Sequence, residues 1–407
     1  MSNAPNVFTA LETGNANEDN YRLTCKVELN GKTLIDMSRI PNPEGVAHFE
    51  LREVLRQTKP QNIANRPGVT DDTTSLHYLP SATTALRLVS YSRGNITSEV
   101  TITIGESYLD AGTIITNTFD TFTCNVIHGA LQHPRLEWDA DTYKLQDNNN
   151  AKPLSARNGN YPAKPSDNGV VSFFIGNDFA QGVYVIQVRY FDVNGSVIST
   201  DTDTRLNDYA VAGDSRTHLH HFAFYPDGLE RSVDLLSPPA NWHTYTVQLR
   251  NGQGTPSGQS MSLTFTRECE SKFENVRLGF VNELGGWDYV NFDLRSQHRE
   301  KYDKAERTAL PGSWSNEDFT YQSTDRGLTR DNSTYRLQVR CTRDASQKEV
   351  DVIAQLVASR EVVWLREFGK PVAVRITDNN LQLKKQGDRD YQTVSVSFEV
   401  AIEKYTA

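Results

Sequence analysis

Cysteine is scarce in this chain: four in 407 residues, with no Cys-x-x-Cys pair among them. Cys25, Cys124, Cys269 and Cys341 stand apart. A disulfide framework belongs to short secreted chains and is not expected here. Long apolar runs are missing too. No stretch approaches the roughly 20 apolar residues that a bilayer span needs, so no membrane partner is expected. A basic block is also absent. The net charge of −9 is spread along the chain, and sequence-independent binding of nucleic acid needs clustered Lys and Arg, so no nucleic-acid partner is expected either. Apolar residues reach only 37%, low for a compact α/β enzyme. No GxSxG elbow, HExxH, Walker A loop or GxGxxG fingerprint occurs, and the sequence points to no catalytic residue, cofactor or metal. The opening "MSNAPNVFTALETGNANEDN" has neither the basic start nor the apolar core of a secretory signal. It reads as a flexible polar arm, on a chain expected to be made in a cytoplasm and to stay there or leave by a route such as lysis.

What the chain does have is strands. In "YRLTCKVEL" the residues Tyr21, Leu23, Cys25, Val27 and Leu29 share one face, the period-two pattern of a half-buried strand. Asn30-Gly31 follows as a hairpin turn, then "LIDMSRI" and the punctuation "PNPEG". "VAHFELREVLRQ" reads as a strand running into a short helix. "ALRLVSYSRGNITSEVTITIG" reads as strand, turn and strand, with Val100, Ile102 and Ile104 aligned. Further on, "QDNNNAKPLSARNGNYPAKPSDNG" reads as a long polar loop, and such loops are functional or mobile. Asn194-Gly195 reads as another hairpin turn. Cys341 shares a face with Leu337 and Val339, as a buried thiol would. "VDVIAQLVAS" has helical spacing, and "TVSVSFEVAIEKY" closes the chain with Val394, Val396, Phe398, Val400 and Ile402 on one face. The fold class expected is mainly β: several antiparallel β-sandwich modules, immunoglobulin- or fibronectin-III-like, with a few short helices. The expected division is an arm over 1–20, a sandwich with a short helix over 21–110 and a second sandwich over 111–212. A β-rich domain with an aromatic hairpin and a short helix follows over 213–407.

Several constellations could carry chemistry. "HLHHF" sets His218 and His220 on one strand face, a pair of imidazoles that would need a third ligand such as Asp214 or His243; histidines at the start of a domain are the commoner reading. Glu137, Asp139 and Asp141 alternate and would share a face if their segment is a strand. Paired carboxylates run glycoside hydrolysis and three can hold Ca²⁺, but a solvated strand face explains them as well. "NGQGTPSG" is glycine-rich, yet a phosphate cradle needs an adjoining helix N-terminus, and the flanks are strand-like. Trp138 and Trp242 are candidate sugar-stacking platforms. In "RLGFVNELGGWDYVNFDLRS" a strand, a five-residue glycine-bearing loop and a second strand form a hairpin. Val290, Phe292 and Leu294 fall on one side of its return strand. Trp287 and Tyr289 fall on the other, as domain core or as a subunit interface.

Three blocks resemble a known family. "VELNGKTLIDMSRIPNPEGVAHFELREVLRQ" resembles the N-terminal part of virion proteins of tailed bacteriophages that infect Bacteroidetes: strand, short turn, proline-glycine element, aromatic strand, short helix. "RLGFVNELGGWDYVNF" is similar to a second element of such proteins, and "VDVIAQLVASREVVWL" to a third. The resemblance covers about half of the chain. It implies a non-enzymatic structural subunit of the tail, baseplate or neck, with no catalytic residues. Such a subunit is assembled in the host cytoplasm and resides in the virion. Its partners would be other virion proteins and copies of itself, in a ring where symmetry repeats one interface. A glycan- or receptor-binding β-sandwich adhesin is the second expectation.

Overall fold

A computed structural model describes residues 7–11, 19–29, 31–51, 54–55, 89–91, 97–127, 140–145, 150–175, 183–206, 218–230, 238–251, 259–308, 313–314, 319–320, 328–365, 371–378 and 391–400. The fold is mainly β, built from several largely antiparallel sheets with few helices. The chain divides into two compact units. One comprises Met1–Glu268 and Val281–Asp288, the other Cys269–Phe280 and Tyr289–Ala407.

In the first unit a four-stranded antiparallel sheet has the order Lys32–Arg39, Asp19–Leu29, Thr97–Asp110, Thr113–Ile127. The alternation in "YRLTCKVEL" becomes burial: Tyr21, Leu23, Cys25 and Val27 are interior, packed with Phe49, Leu51, Val100 and Ile102. Each such side chain contributes about 1.5–3 kcal/mol on leaving water. Burial, with the charge of Asp36 second, pushes the Cys25 thiol up to about 11, so it serves as a small hydrophobe. Beyond Phe49, the Leu55 N–H donates to the Leu51 carbonyl at 2.8 Å, the first turn of the expected helix.

Two expectations change in this unit. Part of the polar arm is structured, because Val7–Leu11 pairs antiparallel with Val46–Glu50; its alternating Val7, Thr9 and Leu11 suit a strand. Strand pairing also crosses both expected domain boundaries. Thr113–Ile127 closes the sheet begun at Asp19, and His218–Phe222 pairs with Val171–Ile175. Val89–Tyr91 pairs with His220–Phe222, in a different sheet from Thr97–Asp110. The turn expected within "ALRLVSYSRGNITSEVTITIG", around Gly94 and Asn95, lies outside the described residues.

The larger correction concerns the polar loop from Gln146 to Gly169. Much of its described part is interior, and two pieces of it form strands. Asn150–Ala151 runs parallel to Gln259–Ser260, and Asn160–Ala163 runs parallel to Leu263–Arg267. Ala151, Leu154, Tyr161 and Ala163 are buried, and so are Ser155, Lys164, Asp167 and Asn168. Tyr161 stacks on Phe265 at 4.9 Å, and Phe265 stacks on Tyr245 at 4.7 Å. The segment completes the sheet of Val183–Phe191, Val197–Leu206, Thr244–Asn251 and Leu263–Arg267. Polar composition misled because polar groups here are hydrogen-bonded inside: the Ser155 hydroxyl donates to Asp288, and the Asp167 carboxylate accepts the Lys164 N–H at 2.8 Å.

In the second unit, the Gln347–Ala358 helix buries Val350, Val352, Ile353 and Leu356, as its spacing predicted. Tyr391–Val400 pairs with Leu328–Ser346 and with Val372–Ile376, and buries Val394, Val396 and Phe398. Cys341 is interior on the neighbouring strand, and burial raises its thiol pKa.

Candidate functional site

A cluster of buried, hydrogen-bonded polar side chains in the first unit lies around Asn282–Asp288, the turn of the "RLGFVNELGGWDYVNF" hairpin. The strands Val276–Val281 and Trp287–Phe292 are buried at every position, so the expected contrast between a core face and an outer face is absent. The turn follows a rule used three times among the described residues. Asn42, Asp192 and Asn282 each accept the backbone N–H groups two and four residues on through one side-chain oxygen. In each, a glycine with positive φ stands three residues on: Gly45 at 74°, Gly195 at 80° and Gly285 at 82°. The Asx side chain stands in for a strand carbonyl and glycine supplies the left-handed turn. "Asn194-Gly195" is therefore the second half of a turn that Asp192 begins.

The next residue, Gly286, has a different task. A Cβ there would lie 1.9 Å from the Leu154 carbonyl oxygen, so the 154–157 segment runs directly against this glycine. Side-chain bonds hold that approach. The Asn282 amide nitrogen donates to the Leu154 carbonyl at 2.9 Å and to Asp288 Oδ2 at 2.8 Å. Asp288 also accepts the Ser155 hydroxyl at 2.5 Å and the Ala156 N–H at 2.9 Å. Ser155 Oγ in turn accepts the Arg157 N–H at 3.1 Å. Asp288 has no exposed surface. Burial raises its pKa, opposed by the charge of Arg157 and by the donors Ser155, Ala156 and Asn282. Beside it, the Tyr161 hydroxyl is pushed well above its ordinary value by burial and then by the charge of Asp288.

A second buried pair adjoins this one. Ser172 Oγ and His221 Nδ1 share a hydrogen bond of 2.8 Å, the Trp287 N–H donates to Ser172 Oγ at 3.4 Å, and the Leu154 N–H donates to the Ser172 carbonyl at 2.8 Å. A serine on a histidine and a serine on an aspartate invite comparison with a nucleophilic triad. The burial argues otherwise: Ser172, His221 and Asp288 retain 0%, 1% and 0% of their surface. A nucleophile must reach its substrate, and these oxygens face only protein. The cluster is a polar lock that pins 154–157 and Ser172 to the hairpin turn.

The second unit holds a lock of its own. Arg277 donates to the Asn291 side chain at 2.9 Å and lies 4.9 Å above the Tyr289 ring. Arg343 donates to the Asn291 carbonyl at 2.8 Å and forms an ion pair with Glu349.

The remaining expectations divide by place. Trp287 and Tyr289 each keep 2% of their surface and face the interior of their own chain, so neither presents an interface to another subunit. Trp242 keeps 3%, meets Tyr245 edge-on at 5.1 Å and carries Arg267 over its ring; it offers no face to a sugar. Trp138, Glu137 and Asp139 lie outside the described residues, and Ala140–Tyr143 is a 3-10 turn, which removes the strand geometry from Asp141. His218 and His220 do lie on a strand, but their side chains lie outside the described residues; His221, the third of the run, is the one in the lock. Among the described residues no group of three or more His, Cys, Asp or Glu could hold a metal ion, and no helix is long and apolar enough to cross a membrane. The loop of "NGQGTPSG" lies outside the described residues, between strands paired antiparallel at Arg250 and Gln259. Ser155, Ser172, Asp288, Arg277 and Arg343 went unnoticed in the sequence. The one signal was the doubled glycine, where a single turn needs one.

Neither a protein-family model nor a curated protein sequence matches the chain.

Proposed function

We propose that the chain is a non-enzymatic structural subunit of a tailed-phage virion, in the tail, baseplate or neck, acting by assembly with copies of itself and with other virion proteins. The observation that carries this reading is the use made of the "RLGFVNELGGWDYVNF" hairpin. Its strands are wholly interior and its polar groups, Asn282 and Asp288, hold neighbouring backbone. Such a hairpin stiffens a module and leaves no polar group free to work on a substrate. The other two blocks that resemble virion proteins support the same reading. One falls on paired strands followed by a helical turn, the other on the Gln347–Ala358 helix and the Val362–Leu365 strand, in the order the resemblance implies. Assembly would take place in the host cytoplasm.

The test is composition and position. Virions purified from infected cells should contain the chain in multiple copies by quantitative mass spectrometry. An image reconstruction should place its density in a symmetric ring or sleeve. Purified infectious particles that lack the chain would overturn the reading.

A further inference from the structure

We propose that the outer edge of the Thr113–Ile127 strand is a self-association surface, on which the same strand of a second copy docks antiparallel about a two-fold axis. The inference deepens the assembly reading and rests on it for the partner, a second copy of this chain.

The strand closes its sheet. It is paired with Thr97–Asp110 on one side, and among the described residues no strand occupies the other. At 15 residues its backbone edge runs for about 50 Å, with no strand paired to it among the described residues. Folded proteins blunt such edges with charge, proline or short length, because an open edge recruits other strands. This chain does so elsewhere. The edge strand Gln297–Thr308 carries seven charged residues in 12, Val197–Leu206 three in 10 and Lys32–Arg39 three in 8. Thr113–Ile127 carries one in 15, Asp120, and has no Lys, Arg or Pro. It also exposes Ile114 at 74%, Phe119 at 38% and Phe122 at 41%. Among the described edge strands of eight residues or more, the one with the fewest charges is therefore also the longest.

The sequence of the strand selects its own copy. In a two-fold antiparallel pair, opposed residues must lie on the same face of the sheet. The bulge at Phe119, where Ile104 opposes Asp120 and Gly105 opposes Thr118, shifts the two halves of the strand by one face. With Thr121 opposite its own copy, the register then sets Thr118 against Thr123, Ile115 against Val126, and Ile114 against Ile127. Faces agree throughout: Ile114 and Ile127, for example, stand opposite Leu109 and Thr97, an even number of residues apart. Thr121 then meets Thr121 and Thr118 meets Thr123, while Asp120 stands opposite Phe122 of the copy, and cross-strand pairs are the unit of sheet stabilisation. A shift of one position would set the Asp120 carboxylate against itself. The Asp120 carboxylate accepts the Thr121 N–H at 2.8 Å, a local cap that a carbonyl of the incoming strand replaces.

Cysteine cross-linking on the full-length chain tests the register. In Thr121→Cys the two introduced thiols face each other across the axis, at the Cα separation of directly opposed residues, about 4.5–5.5 Å, which a disulfide can bridge. Mild oxidation should convert most of the protein to a covalent dimer. Thr116→Cys, exposed on the same strand, places its thiol about 27 Å from its copy along the ladder and should give no more dimer than the parent. Sedimentation should show a concentration-dependent dimer for the parent chain, and at least a tenfold weaker one for Thr121→Glu, whose carboxylates would meet. Equal cross-linking of Thr121→Cys and Thr116→Cys overturns the proposal, as does a parent chain that stays monomeric. Larger assemblies that form unchanged by Thr121→Glu overturn the edge pairing and leave the virion reading standing. A dimer formed by a chain that purified virions lack supports the edge pairing and overturns that reading.

Discussion

Gly286 and the Leu154 carbonyl are set so closely that a methyl group on Gly286 would stand 1.9 Å from that oxygen. Backbone, not a movable side chain, occupies the space, so relief requires the 154–157 segment to withdraw. Withdrawal would break the bonds that Asn282 and Asp288 make to it. Gly286→Ala should therefore cost about 3 kcal/mol, at the upper end for overpacking. Gly195→Ala, where φ is 80° and a Cβ would meet nothing within 4 Å, acts through φ alone and should cost about 1–2 kcal/mol. Urea denaturation of both variants checks the order. Equal losses would mean that the close approach does not matter.

Asp288 makes stability depend on pH in a defined direction. Its pKa in the folded chain is raised, with burial the leading cause. A carboxyl whose folded pKa lies above its unfolded value of about 3.9 contributes stability that is fully present below that value. The contribution is lost as pH rises through the folded pKa. Asp288→Asn removes the titration and keeps the shape. Its amide can face Ser155, whose hydroxyl turns to accept. The unfolding free energy of the parent minus that of Asp288→Asn should fall between acid and neutral pH, and a flat or rising difference would contradict the assignment. Asp288→Ala strands the Ala156 and Asn282 donors and should cost about 3–5 kcal/mol.

These two residues also show where sequence reading succeeds and where it stops. Period-two burial is a local property. Tyr21 to Val27 and Val394 to Phe398 were legible because one face of each strand meets a core, and the 347–358 helix was legible from its spacing for the same reason. In Val276–Val281 and Trp287–Phe292 both faces are covered. Period two then carries no information, and Asp288 reads as a surface residue. The 146–169 segment failed differently. Its Ser, Asn and Asp residues suggested solvent, but the partner of Ser155 lies 133 positions away, beyond any local pattern. The lock is a property of the tertiary fold, and only the second glycine of the pair hinted at it.

The three Asx turns should not be equal. Asn42 and Asp192 serve their own turns at the surface, so each alanine substitution should cost about 1 kcal/mol, as for a lost cap. Asn282 accepts the same two N–H groups and also donates to Leu154 and Asp288 inside the protein. Removing it leaves buried partners unsatisfied, at about 1–3 kcal/mol for each group. Asn282→Ala should therefore lose at least twice what either of the others loses. Asn282→Asp keeps the turn acceptor and sets a second carboxylate against Asp288, so it should behave more like Asn282→Ala than like Asn42→Ala. Thermal melts of the four variants separate a turn role from a lock role.

In the second unit, Glu349 joins two tasks that a double-mutant cycle can divide. It accepts the Ser346 N–H at 3.1 Å at the start of the 347–358 helix, and it pairs with Arg343. The side chains of the pair keep 7% and 19% of their surface, so solvent screens them little. Arg343 also donates to the Asn291 carbonyl, tying that helix start to the Tyr289–Phe292 backbone. Glu349→Gln retains an acceptor for Ser346 and loses the charge. Arg343→Met retains the apolar stem and loses both donors. Arg343→Met should cost about 3 kcal/mol, since it leaves a carboxylate unpaired in a shielded place. The double variant should cost less than the sum of the singles by about 1–3 kcal/mol. Additive losses would show that Arg343 acts through Asn291 alone. A full coupling would show that the ion pair fixes the helix start to the strand beside it.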